Sequence, residues 1–295
     1  MNSRHVARTG KTLLRKTYAH INHKNLTSNV HYLRSLVSRD SFFCPMVKAN
    51  AYGHGAVEVS KTLERAEVKI LGVCLVEEGL DLRANGIECD ILVFAPFFDR
   101  QTARSICDAS LTPVVFSFEQ FEALRAVLSA RSHYPIHLKF NTGMNRLGFT
   151  FDQIEKTAQL LLQDNRFMLE GICSHLLNGE DVGSASGFSE QQGERLVAIQ
   201  KYLDLPDSMV HLYNTAGLMM RNQKNIESCI PADFGARPGI GLYGLAPDLL
   251  FEPTRSEENP LLPVMSMQTE IICMQKVKKG SVVSYGGRWQ ADRKS

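Results

Sequence analysis

Eight short apolar segments alternate with amphipathic stretches, and this alternation limits the possible folds more than any other feature of the sequence. The strand-like segments are residues 42–49, 69–75, 90–95, 112–117, 136–141, 169–174, 209–213 and 234–237. Near-continuous apolar strands separated by helices are typical of a parallel sheet that is covered on both faces. Eight such units favour closure over an open doubly wound sheet. The sequence therefore predicts an α/β fold, a (β/α)8 TIM-like barrel.

The stretches between the strands have the spacing of amphipathic helices. In residues 118–129, for example, Phe121, Leu124 and Leu128 fall on one helical face. The other predicted helices are residues 55–65, 77–85, 101–109, 151–163 and 189–203.

Three segments lie outside the predicted barrel. Residues 16–23 alternate polar and apolar side chains like a half-buried strand, and a helix is expected to begin near Leu26. Residues 248–262 look like a linker, and residues 264–277 and 281–285 again look like strands. We expect an N-terminal extension and strand associated with a β domain (1–23), a barrel (24–250), and a linker with a partial C-terminal β domain (251–295).

Composition excludes several classes of protein. The chain has 33 Lys and Arg against 31 Asp and Glu, so its net charge of +2 gives no electrostatic case for nucleic acid. The first sixteen residues are basic but no apolar segment follows them, and no apolar run is long enough to span a bilayer. Seven scattered cysteines without a CxxC pair are typical of reduced thiols rather than of disulfides or metal ligands. We therefore expect a cytoplasmic protein without a membrane partner or a metal site.

Lys48 is the first candidate for chemistry. It follows the apolar, strand-like residues 41–47 and is followed by small residues, Tyr52 and two glycines within residues 45–55. An amine at a strand end beside a glycine-containing turn suits a lysine that forms a Schiff base with a cofactor. The alternative is a surface lysine that merely ends a strand.

Four further segments leave strands at the same end of the predicted barrel. They present Arg146 after the fifth strand, His175 after the sixth, Asn214-Thr215 after the seventh and Arg237 with Gly239 after the eighth. In such barrels the carboxyl ends of the strands form the active site. Each segment also has a structural reading: a hydrogen-bonded core histidine, a helix cap, or an arginine in an ion pair.

Together these segments resemble the alanine racemase family, whose members are fold-type III barrels dependent on pyridoxal 5'-phosphate (PLP). The resemblance rests on residues 45–55, 142–148, 237–244 and 281–286, and extends from Thr17 to Ala291. It implies an isomerase that interconverts L- and D-alanine as a homodimer with shared active sites. It also implies a role in D-alanine biosynthesis for the peptidoglycan of the cell wall.

The resemblance assigns a role to each matching residue. Lys48 would hold PLP and act as one acid/base, and Tyr285 of the other subunit would act from the opposite face. Arg146 would orient the substrate carboxylate, and Lys139 matches a position that is carbamylated in many members. The implied cofactor-binding residues are Lys48, Tyr52, His175, Asn214, Thr215, Arg237, Gly239 and Ile240, with Arg237 at the pyridine nitrogen and His175 between Arg237 and Tyr285.

Two departures leave alternatives open. Asn141 stands where the family often has Asp, and family members continue through a β domain that extends beyond the point where this chain ends. We therefore expect an apparently truncated β domain, and the alternative function is a PLP-binding barrel with little or no turnover. A PLP decarboxylase of the same barrel type is disfavoured, because such enzymes place a carboxylate at the pyridine nitrogen. Alanine, serine and broader substrate sets all remain compatible with the resemblance.

Overall fold

The computed structural model describes residues 16–184, 187–223, 226–246 and 259–293. The chain divides into two compact units, one of Ile21–Met265 and one of Met1–His20 with Ser266–Ser295. Most of the linker expected at residues 248–262 falls outside the described residues.

The larger unit contains a parallel sheet of seven strands hydrogen-bonded in sequence order, from β2 to β8. The strands are β2 (Ile70–Val73), β3 (Asp90–Val93), β4 (Thr112–Val115), β5 (Tyr134–Lys139), β6 (Phe167–Cys173), β7 (Val210–Tyr213) and β8 (Gly235–Ala236). The helices are α1 (His23–Ser35), α2 (Lys48–Tyr52), α3 (Ala56–Arg65), α4 (Val76–Ala84), α5 (Arg100–Asp108), α6 (Phe118–Arg125), α7 (Ile154–Gln163), α8 (Phe188–Tyr202) and α9 (Thr215–Arg221).

Residues 42–47 join the two edges of this sheet. Phe43 bridges Ala236 of β8, and Met46 bridges Gly72 of β2, both in parallel. The backbone N–H of Cys44 donates to Ala236 O (2.9 Å), and that of Val47 donates to Gly72 O (2.8 Å). The predicted (β/α)8 barrel is therefore confirmed. Its first strand position, residues 42–47, is here called the first stave; it makes a pair of isolated bridges rather than the continuous strand expected at residues 42–49. Pro45 lies inside this stave and has no backbone N–H to contribute to a ladder.

Glycines on both sides allow the first stave to fit. A side chain at Gly235 would collide with the backbone oxygen of Phe42, and one at Gly72 would collide with the sulfur of Met46. The absence of a Cβ at these two positions lets the neighbouring strands approach the irregular stave closely.

Side chains fill the inside of the barrel. Cys44, Leu92, Val114 and Cys173 form a small buried cluster that is separate from the main core. The main core lies between the strands and the surrounding helices; Ile91 and Val93 of β3 belong to it, whereas Leu92 between them belongs to the small cluster. This alternation along β3 is what a strand with two covered faces requires.

Three helix boundaries differ from the expectation by three or more residues. Helix α7 begins at Ile154 rather than at residue 151, because Phe151–Gln153 form a 3-10 turn. Helix α1 begins at His23 rather than near Leu26, because the side-chain oxygen of Asn22 accepts hydrogen bonds from the N–H groups of Lys24 and Asn25. Helix α6 ends at Arg125 instead of extending through residue 129.

The remaining strands are short, and most of their residues belong to the smaller unit. Strand β1 (Tyr18–Ile21) pairs with β9 (Met265–Gln268), and β10 (Val282–Val283) pairs with β11 (Trp289–Gln290). The strand expected at residues 264–277 is wrong beyond Gln268, because Ile271, Ile272 and Met274 are irregular and highly exposed. An apolar run forms a strand only where a partner strand supplies hydrogen bonds.

None of the helices in the described ranges is long and apolar enough to cross a membrane. All seven cysteines are free thiols.

Candidate active site

A cavity of about 460 Å³ opens at the carboxyl ends of the barrel strands. Its lining comes from the loops after almost every strand, as expected for a barrel of this kind. The lining residues are Met46, Lys48, Tyr52, Cys74, Phe94, Lys139, Arg146, Leu147, His175, Asn214, Thr215, Ala216, Arg237, Gly239 and Ile240.

Ten of the eleven site residues predicted from the sequence line this cavity. They are Lys48, Tyr52, Lys139, Arg146, His175, Asn214, Thr215, Arg237, Gly239 and Ile240. The eleventh, Tyr285, belongs to the smaller unit, where it begins a short 3-10 turn and its side chain is fully exposed.

Lys48 enters the cavity from a left-handed helical turn, α2. Ala49, Asn50, Ala51 and Tyr52 all have φ near +53°, although none of them is glycine. For L-residues this conformation costs about 1–2 kcal/mol per residue, so neighbouring structure must hold the turn. The left-handed residues begin directly after Lys48, and the centre of the Tyr52 ring lies 5.9 Å from the Lys48 Nζ.

Arg237 is a buried cation at the base of the cavity. Its Nη1 donates to His211 Nδ1 (2.5 Å) and to the backbone oxygen of His211 (2.7 Å). Its Nη2 donates to Ser174 O (2.6 Å) and to His175 Nδ1 (3.3 Å). No carboxylate pairs with this guanidinium in the described residues, and no partner of its Nε is found there either. Burial lowers the pKa of Arg237.

Three histidines around Arg237 are held neutral. Burial, followed by the charge of Arg237, lowers the pKa of His137 to about 3, that of His175 to about 3 and that of His211 well below its ordinary value.

The hydrogen bonds also fix the tautomer of each ring, because a guanidinium can only donate. His211 Nδ1 accepts from Arg237, so its proton lies on Nε2, which donates to His137 Nδ1 (2.9 Å). His175 Nδ1 likewise accepts from Arg237, so its proton lies on Nε2.

Arg146 is presented by a tightly bonded loop after β5. The side-chain oxygen of Asn141 accepts from the N–H groups of Gly143 (3.1 Å) and Asn145 (2.9 Å). An aspartate oxygen could accept the same two bonds, but the bond that Asn141 Nδ2 donates to Asn145 Oδ1 (3.0 Å) depends on the amide, so the departure from the Asp that the family often has changes one loop contact. Arg195 adds a bond from Nη1 to Thr142 O (2.8 Å).

Lys139 ends β5 and is almost fully buried beside this loop. Burial is the main cause that lowers its pKa, and the charges of Arg237 and Arg146 lower it further. A buried amine in such surroundings exists in its neutral form more often than an exposed lysine does.

The start of α9 and the start of a short 3-10 helix (Ile240–Tyr243) both line the cavity. Asn214 caps α9 by accepting from the N–H of Gly217 (2.9 Å), and Thr215 Oγ1 accepts from Gly239 and Gly241 (both 3.1 Å). These three N–H groups are taken by side chains, and the remaining first N–H groups of each helix have no partner within that helix. A Cβ at Gly239 would collide with the Tyr52 hydroxyl, so the backbone is bare where it faces this tyrosine. These features suit an anionic group.

The charges that line the cavity have one sign. Lys48, Lys139, Arg146 and Arg237 are basic, and none of the lining residues is Asp or Glu. The cavity therefore favours a ligand that carries negative charge.

Sequence reasoning missed several participants. His211 bonds to Arg237, and His137 bonds to His211 in turn. The cavity is also lined by Met46, Cys74, Phe94, Leu147 and Ala216. One signal was available for His137, because it lies two residues before Lys139 on β5 and therefore on the same face of the strand.

The residues present fit PLP. They offer an amine at Lys48, bare backbone at Gly239 beside a tyrosine hydroxyl, and a guanidinium whose Nε–H is left for a ligand acceptor. The cavity volume is in the range of small-molecule sites. The fold and the cavity together thus define a barrel enzyme of the PLP-binding class.

Comparisons with known proteins identify the family. The sequence profile of the alanine racemase N-terminal domain matches residues 21–247. The alanine racemase of Sorangium cellulosum is 32% identical over 290 residues, which cover 96% of this chain and 73% of that protein. The chain belongs to the alanine racemase family, which uses PLP.

Solved structures agree with this assignment. The alanine racemase of Clostridium difficile 630 superposes with a TM-score of 0.78 at 27% identity, covering 96% of this chain and 72% of that one. The Bartonella henselae alanine racemase, solved with covalently bound pyridoxal phosphate, has a TM-score of 0.75 at 24% identity and covers 95% and 73%. At that identity the second likeness concerns the fold alone.

Proposed function

We propose that the chain is a PLP-dependent alanine racemase in which Lys48 and Tyr285 act as two acid/bases on opposite faces of the substrate. The observation that carries this proposal is the meeting of Lys48 and Arg237 in one cationic cavity at the strand ends of a barrel from this family. Bound PLP supplies the electron sink that makes an amino-acid α-proton removable. The protein's own residues bind, orient and move the proton.

Lys48 Nζ is proposed to attach the cofactor and then to carry a proton on one face. The left-handed turn fixes the backbone next to this side chain. Tyr52, Asn214, Thr215, Gly239 and Ile240 are proposed to hold the cofactor phosphate, supported by the two helix starts and the bare backbone at Gly239.

Arg237 is proposed to face the pyridine nitrogen through its free Nε–H. A guanidinium donates hydrogen bonds and accepts none, so a nitrogen bound to it remains unprotonated. This arrangement weakens the electron sink and should limit transamination. We expect an Arg237→Glu variant to form more transamination by-product than the wild type, and an unchanged by-product ratio would contradict this role.

Tyr285 is proposed to act from the second subunit of a homodimer, with His175 between it and Arg237. Its complete exposure within the single chain supports this idea, because an acid/base must be covered to work efficiently. The two-face requirement is geometric: removal of the α-proton from one face and its return to the other changes the configuration.

Arg146 is proposed to orient the substrate carboxylate, for which a planar guanidinium is well suited. Lys139 is proposed to be carbamylated. Its neutral Nζ would attack carbon dioxide and lose a proton, and the resulting anion would lie in surroundings that contain the charges of Arg146 and Arg237. Addition of ¹³C-labelled bicarbonate should give a carbamate carbon resonance that is absent from a Lys139→Ala variant; equal spectra would contradict the modification.

The cellular setting is proposed to be the cytoplasm, supported by the seven free thiols. There the reaction would supply D-alanine for peptidoglycan.

The deciding experiment is an assay of the purified chain with PLP and L-alanine. We expect D-alanine to accumulate to an equal mixture, and a Lys48→Ala variant to form none. Borohydride reduction followed by peptide mapping should place the pyridoxyl label on Lys48. A label on Lys48 without D-alanine would favour the binding protein with little turnover, and a label on another lysine would refute the whole proposal.

A further inference from the structure

The left-handed turn that carries Lys48 needs an external support. Its residues Ala49, Asn50 and Ala51 have φ of 52°, 53° and 53° with ψ between 48° and 52°. The two alanines strongly prefer the right-handed region, and asparagine tolerates the left-handed region only as an isolated residue. The backbone bonds inside the segment, such as Ala51 N–H to Val47 O (2.8 Å), join only close neighbours in the chain.

The side chain of Glu78 supplies a tie from another element. Its Oε1 accepts from the N–H of Ala49 (2.5 Å), the residue directly after Lys48. Its Oε2 accepts from the N–H groups of Cys74 (2.8 Å) and Leu75 (2.9 Å) at the end of β2. One carboxylate thus connects the start of the left-handed turn to the end of the neighbouring strand.

The position of Glu78 explains why a carboxylate can do this. It is the third residue of α4, where an acidic side chain commonly reaches back to the N-cap backbone and interacts favourably with the helix dipole. Such a cap occupies one carboxylate oxygen. Here the second oxygen remains for Ala49. A hydrogen bond to a charged acceptor is strong enough to offset the strain of one or two left-handed residues.

We propose that Glu78 is a positioning residue for Lys48, because its bond to the Ala49 N–H fixes the direction in which the lysine leaves the first stave and faces the cofactor. This inference deepens the proposed function and rests on it. Cys74, whose N–H shares the same carboxylate, also lines the cavity, so the carboxylate sets the spacing between the lysine and the β2 side of the site.

The competing interpretation is that Glu78 only caps α4. In that case its loss would lower stability but would leave the lysine in place. Glu78→Gln separates the two roles, because an amide has one accepting oxygen and cannot serve Ala49 and the β2 end together. Glu77→Gln is the matched control, because Glu77 is exposed and its substitution removes the same charge from the same turn of α4.

The test compares wild type, Glu77→Gln and Glu78→Gln, each well below its own melting temperature. We expect Glu78→Gln to bind PLP about tenfold more weakly, to trap less pyridoxyl label on Lys48 at limiting PLP, and to lose kcat at saturating PLP with little change in KM. The Glu77→Gln control should stay within about twofold of wild type. Equal PLP affinity and equal labelling in the two variants would refute the positioning role.

A measurement on the unmodified protein covers the case in which Glu78→Gln fails to fold. The Ala49 amide of the wild type should exchange its hydrogen slowly, as a bonded amide does. Exchange as fast as that of an unbonded loop amide would overturn the proposal. Failure of the proposed function and failure of the positioning role give different results. If the wild type is labelled normally but does not racemise alanine, the proposed activity is contradicted. If the Glu78→Gln variant behaves like the wild type, only the positioning role is contradicted.

Discussion

At the scale of single residues, the site is organised around a positive charge that pairs with no carboxylate in the part of the chain that the structure describes. Arg237 is bonded by carbonyl oxygens and by the unprotonated nitrogens of His175 and His211. The sequence identified Arg237 and His175 through the motifs that contain them. It could not identify the pairing of His211 with His137, because the two histidines are 74 residues apart and meet only when the barrel closes.

The neutral histidines give the protein a defined dependence on pH. His137 has a pKa of about 3 when folded and an ordinary value of 6.5, so between these values the unfolded chain binds the extra proton. The contribution of the neutral His137 to the free energy of unfolding is therefore complete above pH 6.5, and it is lost as the pH drops towards 3. The contribution of one such group is about 1.4 kcal/mol per pH unit.

We expect a His137→Gln variant to lack this pH-dependent contribution, which can then be measured as the difference in stability between wild type and variant. Urea unfolding between pH 4.5 and 5.5 should give a slope of stability against pH that is smaller than in wild type by about 1.4 kcal/mol per unit. The exposed His31, changed to Gln and measured over the same pH range, serves as the control for a His-to-Gln substitution. Identical slopes in wild type and His137→Gln would show that His137 titrates normally in the folded protein.

At the scale of elements, sequence patterns located the strands well and the turns poorly. Seven of the eight predicted strands are strands of the sheet, because apolar runs that are covered on both faces have few alternatives. The first stave and the turn after it were not predictable. Alanine and tyrosine disfavour positive φ, and the one residue here that tolerates it better, Asn50, is not enough to indicate a left-handed turn over Ala49–Tyr52. Only contacts from elsewhere, such as the one from Glu78, explain it.

The closure of the barrel at this stave can be tested through Gly235. In a Gly235→Ala variant the new methyl group would press against the backbone oxygen of Phe42, so β8 and the first stave would have to separate. We expect a loss of about 2–4 kcal/mol in the free energy of unfolding, measured by denaturant titration. Gly86→Ala is the control, because Gly86 has φ of +82° but open space around it, and it should cost about 1 kcal/mol. Equal costs would mean that the stave can adapt without strain.

At the scale of the whole molecule, ten predicted site residues gather in one cavity of the larger unit while Tyr285 lies exposed in the smaller one. The gathering was predictable, because the carboxyl ends of barrel strands face the same way. The environment of Tyr285 could not be predicted in the same way, because the resemblance implies that this side chain acts in the active site of another copy of the chain.

Mixing two inactive variants tests whether active sites are shared. Lys48→Ala and Tyr285→Phe should each lack racemase activity, and an equal mixture allowed to exchange subunits should recover about a quarter of wild-type activity, because half of the dimers contain one intact site of two. Size-exclusion chromatography of each variant checks that both remain dimeric. A mixture as inactive as its components would contradict the shared site.

The one-sided charge of the cavity has a practical consequence for handling the protein. Phosphate or sulfate in a purification buffer would compete with the cofactor for Lys48, Arg146 and their neighbours, since these side chains attract any small dianion. Preparations made in phosphate should therefore contain less bound cofactor, seen as weaker colour, and have lower activity than those made in an uncharged or cationic buffer. Dialysis with added cofactor should reverse the difference.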